Sequence, residues 1–270
     1  LGRSLPVTAA PTSNPAFKTE IVDQYLVGSP VQADAKTMTV AGTTIKTFVL
    51  LVFVVIGGAY GWAVATEPVG VDLGQGYGNT TVTIPGGFWL VSLLAFFLGI
   101  WITLQPKRAA VGGIIYSLLQ GYLLGVISAA FDAQTDGIVG AAILATVCVF
   151  LVSLLAYATG LVKPTQKMAF ILVSAMGGLM LLYLFVSIMA IFDWSWLYSE
   201  QFRTMGIVVT TLSIGLAALS LVLDFATIDA GVKSGAPKYM EWYCGFGLVV
   251  TLIWLYVTIL RLLALLARNR

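Results

Sequence analysis

The sequence predicts an all-α, polytopic integral membrane protein with seven transmembrane helices packed as a bundle. Three observations carry that prediction. Of 270 residues, 59% are hydrophobic and only 10% charged, whereas a soluble domain is about a quarter charged. Mean hydropathy is +0.96. Seven apolar runs approach the roughly 20 residues that a helix needs to cross the hydrocarbon core.

Taken in order, the runs are Thr47–Ala65, Gly87–Leu104, Ala109–Phe131, Ile138–Gly160, Met168–Phe192, Met205–Ile228 and Leu248–Ala267. Backbone hydrogen bonds must close within each span in lipid, so these segments are read as helices. Connections such as Thr103–Pro106 and Gly160–Pro164 are short and rich in turn formers. They force their flanking helices to pack as antiparallel neighbours. Residues 1–46 differ in kind. This arm is polar, with Pro6, Pro11, Pro15 and Pro30 and no persistent period, and lacks the basic-then-apolar layout of a cleavable signal. Alone, such a segment is expected to be disordered. If ordered, it lies on the bundle's own face or on another subunit. The chain begins with Leu, so its true start is expected upstream.

Lys and Arg in the loops set the orientation. Lys107 with Arg108, Lys163 with Lys167, and Lys233 with Lys238 lie in alternate loops, and the arm adds Arg3, Lys18, Lys36 and Lys46. The opposite loops, which hold Glu67, Asp72, Asp132 and Asp136, carry one base, Arg203. The arm is therefore expected in the cytoplasm and, after seven crossings, the C-terminus outside. Arg268 and Arg270 break that pattern, which leaves a re-entrant last segment as the alternative; seven crossings are favoured. Tyr60, Trp62, Trp194, Trp196 and Tyr198 near one surface, and Tyr239, Trp242 and Tyr243 near the other, read as interfacial anchors.

Composition also excludes function classes. A net charge of +2 argues against a nucleic-acid partner. Without histidine, a Ser-His-Asp triad and His-ligated zinc or haem are impossible. Cys148 and Cys244 lie in or beside apolar runs and read as packed thiols. No paired carboxylates, phosphate-cradling loop or nucleophile–base pair appears; Gly74, Gly76, Gly231 and Gly235 read as loop glycines. No enzyme, no cofactor and no metal are expected. Gly57 with Gly61, and Gly121 with Gly125, have the small-xxx-small spacing that lets helices approach closely. Packing inside the bundle is the preferred reading, contact between copies the other.

Ionisable groups at membrane depth are costly and point to function. Asp224 lies a turn from the end of run six, and Arg261 lies where it can snorkel outward. Gln120, midway along run three, must find a hydrogen-bond partner in the bundle. Thr258 can bond its own helix.

The stretch Leu223–Tyr243, LDFATIDAGVKSGAPKYMEWY, continues into Trp254–Leu263, WLYVTILRLL. Together they resemble the Bax inhibitor-1/YccA family of transmembrane Bax inhibitor motif proteins, in the form found in actinobacteria. Ser13–Phe17, Tyr116–Ser128 and Val162–Thr165 are similar too. Gly235–Tyr243 is the most specific part.

The resemblance implies a seven-helix bundle with the last helix near its centre, in a bacterial plasma membrane. It also implies a pH-dependent calcium leak sensed by two acids, on spans six and seven. Two close carboxylates cannot both ionise cheaply, so such a pair responds to protons. Asp224 matches the span-six acid, whereas Thr258 stands at the span-seven position and Gln120 replaces a span-three Glu. The proton- or ion-sensing set is thus Asp224, Gln120, Thr258, Arg261 and Asp229. Thirty-four positions separate Asp224 from Thr258, which makes their direct contact doubtful. With the acids replaced, calcium leak is expected to be reduced or absent. The competing expectation is a non-catalytic accessory or scaffold subunit of a larger membrane complex, its arm laid across other subunits.

Overall fold

The computed structural model describes residues 37–66, 82–192 and 200–267. The chain divides into residues 1–36 and residues 37–270, and everything described belongs to the second unit. Most of the arm, the loop with Glu67 and Asp72, the anchors Trp194, Trp196 and Tyr198, and the terminal Arg268 and Arg270 lie outside the described residues.

Among the described residues seven α-helices follow one another: α1 (Val40–Ala65), α2 (Phe88–Leu104), α3 (Ala109–Asp132), α4 (Ile138–Ala158), α5 (Gln166–Phe192), α6 (Glu200–Lys233) and α7 (Met240–Ala267). A 3₁₀ turn, Pro106–Arg108, joins α2 to α3. There is no strand among the described residues, only an isolated bridge between Thr37 and Pro237. Among the described residues six helices are long and apolar enough to cross a bilayer. The other, α2, is equally apolar but has 17 residues, about 25 Å at 1.5 Å per residue. The protein is an all-α, multi-pass membrane protein. Segment seven is one continuous helix of 28 residues, long and apolar enough to cross a bilayer.

α7 is the centre post. It packs against α1, α3, α4 and α6 and contributes to two apolar cores. In one, Leu248, Leu255, Ile259 and Leu260 of α7 meet Ala142 of α4 and Ala217, Leu221 and Phe225 of α6. In the other, Phe246, Val249 and Ile253 meet Leu50 of α1, Ile102 of α2 and Tyr116 and Leu124 of α3. Large apolar side chains outside these cores, such as Phe48, Trp89 and Phe170, are exposed; on a membrane helix that is the lipid-facing surface. α5 is peripheral and leans on α6 rather than on α4, so the short Gly160–Pro164 connection does not make its flanking helices packed neighbours.

α1 and α3 touch backbone to backbone. A Cβ at Gly57 or Gly61 would strike the carbonyl oxygen of Leu118 or Tyr122, and one at Gly121 or Gly125 that of Val54 or Gly58. Both small-residue pairs therefore serve packing within the bundle.

The helices outrun the apolar segments by five residues or more at four ends; one is the start of α6 at Glu200, and the other three bear on the polar contacts. α1 begins at Val40, so Lys46 belongs to a helix rather than to the arm. α7 begins at Met240. α6 runs to Lys233, which places Gly231 in its last turn rather than in a loop. Hydropathy marks only the stretch that meets lipid, whereas these polar turns are stabilised by specific partners. α1 starts because the Thr39 hydroxyl accepts from the Gly42 N–H at 3.0 Å, an N-cap. α6 stops at Gly235, whose φ of 67° favours glycine. The Ala236 N–H then reaches the Gly231 carbonyl at 2.9 Å and the Gly235 N–H that of Val232 at 3.1 Å, a Schellman closure. The Met38 N–H donates to the Ala236 carbonyl at 2.8 Å, tying the start of α1 to this turn.

Candidate functional site

Asp224 sits on α6, nine residues before Lys233, and faces α7. The Thr251 hydroxyl donates to its Oδ2 at 2.7 Å and shares the same proton with the Gly247 carbonyl at 3.2 Å. A recess of about 330 Å³ opens beside this pair, lined also by Thr103, Thr227, Tyr243, Cys244, Phe246 and Val250. Asp224 is the one charged residue among those lining it. At the far side, buried Leu221, Leu255 and Ile259 close the α6–α7 contact. Chemically, the site is a single carboxylate held by a hydroxyl, with apolar walls.

The α7 residue brought to Asp224 is Thr251, which sequence reasoning missed. The signal was available. In an antiparallel hairpin, residues equidistant from the turn meet, and the turn centres on Ala236 and Pro237. That points to about position 249 or 250, within a residue or two of Thr251. Thr258 lies seven residues further along, about 10 Å, and its hydroxyl donates to the Trp254 carbonyl at 2.7 Å. It bonds its own helix, as expected, and does not reach Asp224.

The other members of the set scatter. The Asp229 carboxylate accepts from Lys233 Nζ at 2.6 Å and from the Tyr157 hydroxyl at 3.2 Å. The Asp229–Lys233 pair is solvent-facing, and such pairs contribute little. The Arg261 guanidinium lies 5.5 Å from the centroid of the Tyr183 ring, a cation–π contact between α7 and α5. Gln120, expected to find a partner in the bundle, makes no side-chain hydrogen bond among the described residues. It lines a second recess, of about 610 Å³, between α2, α3 and α7. The two recesses share Thr103, Phe246 and Val250. Cys148 and Cys244 are free thiols.

A second polar centre was not legible from the apolar runs. Glu241, in the first turn of α7, is fully buried. Its Oε1 accepts from the Thr39 N–H at 3.0 Å and the Thr39 hydroxyl at 3.1 Å. Its Oε2 pairs with Lys46 of α1, whose ammonium also lies 5.5 Å from the Trp242 ring centroid. The carboxylate therefore sits at the N-terminus of α1, where the helix dipole favours a negative charge. Gly42 leaves the room: a Cβ there would lie 2.7 Å from Glu241 Oε2. Because Lys46 and Thr39 hold that carboxylate in place, Gly42→Ala is expected to cost about 1–3 kcal/mol through overpacking. Thermal unfolding in detergent checks it; an unchanged midpoint would mean the carboxylate has room to move.

Comparison with known proteins bears on the whole chain. A family model described as "Bax inhibitor 1 like" matches residues 14–268. No curated protein matches, and no solved structure matches.

Proposed function

This chain belongs to the Bax inhibitor 1-like family, and on that premise we propose that it is a non-enzymatic ion-homeostasis protein that passes little or no calcium. Its span-six aspartate faces a hydroxyl where a second carboxylate would make a proton-responsive pair. The observation that carries this reading is the Thr251–Asp224 hydrogen bond at 2.7 Å. Calcium takes about six to eight oxygen ligands, preferably with several charges among them. Here one carboxylate, Asp224, lines the recess and no other charged residue does, so the charge a calcium site prefers is largely missing. The reading places the protein in a bacterial plasma membrane, with the start of α1 and the basic loops in the cytoplasm.

Purified protein in liposomes loaded with a calcium dye tests it. Wild-type liposomes are expected to match protein-free ones at mildly acid and mildly alkaline pH. Thr251→Asp installs a second carboxylate against Asp224, and two carboxylates that close cannot both ionise cheaply. That variant is expected to raise calcium entry about tenfold, which corresponds to about 1.4 kcal/mol of barrier, and to make it acid-sensitive. Thr258→Asp, two turns away, is expected to do neither. Acid-modulated calcium flux through the wild type, abolished by Asp224→Asn, would overturn the proposal. No response to Thr251→Asp would remove the ion-conducting part of it and favour an accessory role in a larger complex.

A further inference from the structure

We propose that the recess between α2, α3 and α7 binds a neutral lipophile through a carbonyl group, held by the Tyr116 hydroxyl and the Gln120 amide. Tyr116 and Gln120 stand one turn apart on α3 and line the same recess. At about 610 Å³, it is within the range of small-molecule sites, roughly 300–1,000 Å³.

Tyr116 is more than nine-tenths buried. Its ring stacks edge-on against Phe246, with centroids 5.0 Å apart, and rests over Gly99, where a Cβ would come within 3.3 Å of it. Its position is thus fixed from two sides. Yet neither its hydroxyl nor the Gln120 amide has a hydrogen-bond partner among the described residues. In hydrocarbon, an unpaired polar group costs several kcal/mol. The remaining hydroxyls of the recess are committed, Ser92 donating to the Phe88 carbonyl at 2.9 Å and Thr103 to that of Gly99 at 2.9 Å. Two free donors on a rigid wall call for an acceptor.

The rest of the wall defines the ligand's class. No charged residue lines the recess, so an ionised group would lie there unpaired. The lining is otherwise chiefly apolar, and Phe96, Ile100 and Leu104 at its edge are exposed on the lipid-facing side of α2. A ligand enters sideways from the bilayer, apolar body against α2 and Phe246, carbonyl toward Tyr116 and Gln120. Such a carbonyl belongs to the ester of an acyl lipid or to an isoprenoid quinone; the shared chemistry is the acceptor.

The full chain, placed in nanodiscs of ether-linked phospholipid, offers no competing ester. Three probes are added separately: an ester-linked phospholipid, a benzoquinone with a decyl tail, and decylbenzene, which keeps the tail without the carbonyl. Native mass spectrometry after transfer to detergent reads what the chain retains. One or both carbonyl probes are expected to stay and decylbenzene to leave, and the probe retained identifies the source. Gln120→Leu combined with Tyr116→Phe is expected to lower retention about tenfold, the effect of losing two modest hydrogen bonds. The infrared band of an isotope-labelled probe carbonyl is expected to return to its unbonded position in that variant. If the double variant does not fold, Tyr116→Phe alone, which removes one oxygen, is expected to lower retention about threefold. Equal retention of decylbenzene, undiminished retention by the variants, or no retention by the wild type would overturn the proposal, the last leaving water as the occupant. These residues are distinct from Asp224 and Thr251, so the calcium result neither supports nor removes this one.

Discussion

Gly125→Ala is expected to destabilise the bundle by about 3 kcal/mol or more, the upper end of overpacking costs. The added methyl group would enter the contact shell of the Gly58 carbonyl oxygen and approach the Trp62 nitrogen to 2.7 Å. Both are backbone atoms of α1, and no rotamer change relieves the clash. The helices must separate, which also loosens the matching contacts at Gly57, Gly61 and Gly121. Lipid offers no hydrophobic drive to push them back together, since association there rests on close packing. Unfolding in a detergent mixture with increasing denaturing detergent measures the cost. Gly140→Ala on α4 is the control: its Cβ meets nothing within 4 Å, and the variant is expected to be neutral or slightly stabilised. Equal stability of the two variants would show that α1 and α3 do not approach this closely.

Lys46→Met is expected to cost about 3–5 kcal/mol, because it leaves the Glu241 carboxylate buried without its counter-charge. The informative comparison is with Lys46→Met combined with Glu241→Gln. The glutamine carbonyl can still accept both Thr39 donors, yet carries no charge to compensate. The double variant is therefore expected to recover most of the loss, to within about 1–2 kcal/mol of wild type. If the double variant is as unstable as the single one, charge burial is not the dominant effect. The pair would then act through the packing of the Lys46 stem on Trp242. With Glu241→Gln measured alone as the fourth corner, the cycle isolates the coupling between α1 and α7.

The two centres differ in how far they could be read beforehand. Asp224 was visible because a carboxylate in an apolar run is conspicuous, and its partner Thr251 follows from counting outward from the α6–α7 turn. The family pattern drew attention to Thr258 instead, and that residue turns its hydroxyl to its own helix. Lys46 was visible only as an arm charge and its pairing with Glu241 not at all, because 195 residues separate them and no local pattern joins them. Gln120 was visible as a polar group at depth. That it would remain unpaired, beside an equally unpaired Tyr116, depends on the width of the gap between α2 and α7.

By itself the sequence determined the all-α, multi-pass class, the small-residue spacing at Gly57, Gly61, Gly121 and Gly125, and the family. The physical reason is that lipid permits a backbone few alternatives to helix, and glycine spacing is local to one helix. Only the tertiary structure decided that α1 packs on α3, that Lys46 meets Glu241, and that Gln120 stays apart from both polar pairs. Those meetings depend on rotation and register between segments distant in the chain, and hydropathy, which averages over a whole span, holds no record of either.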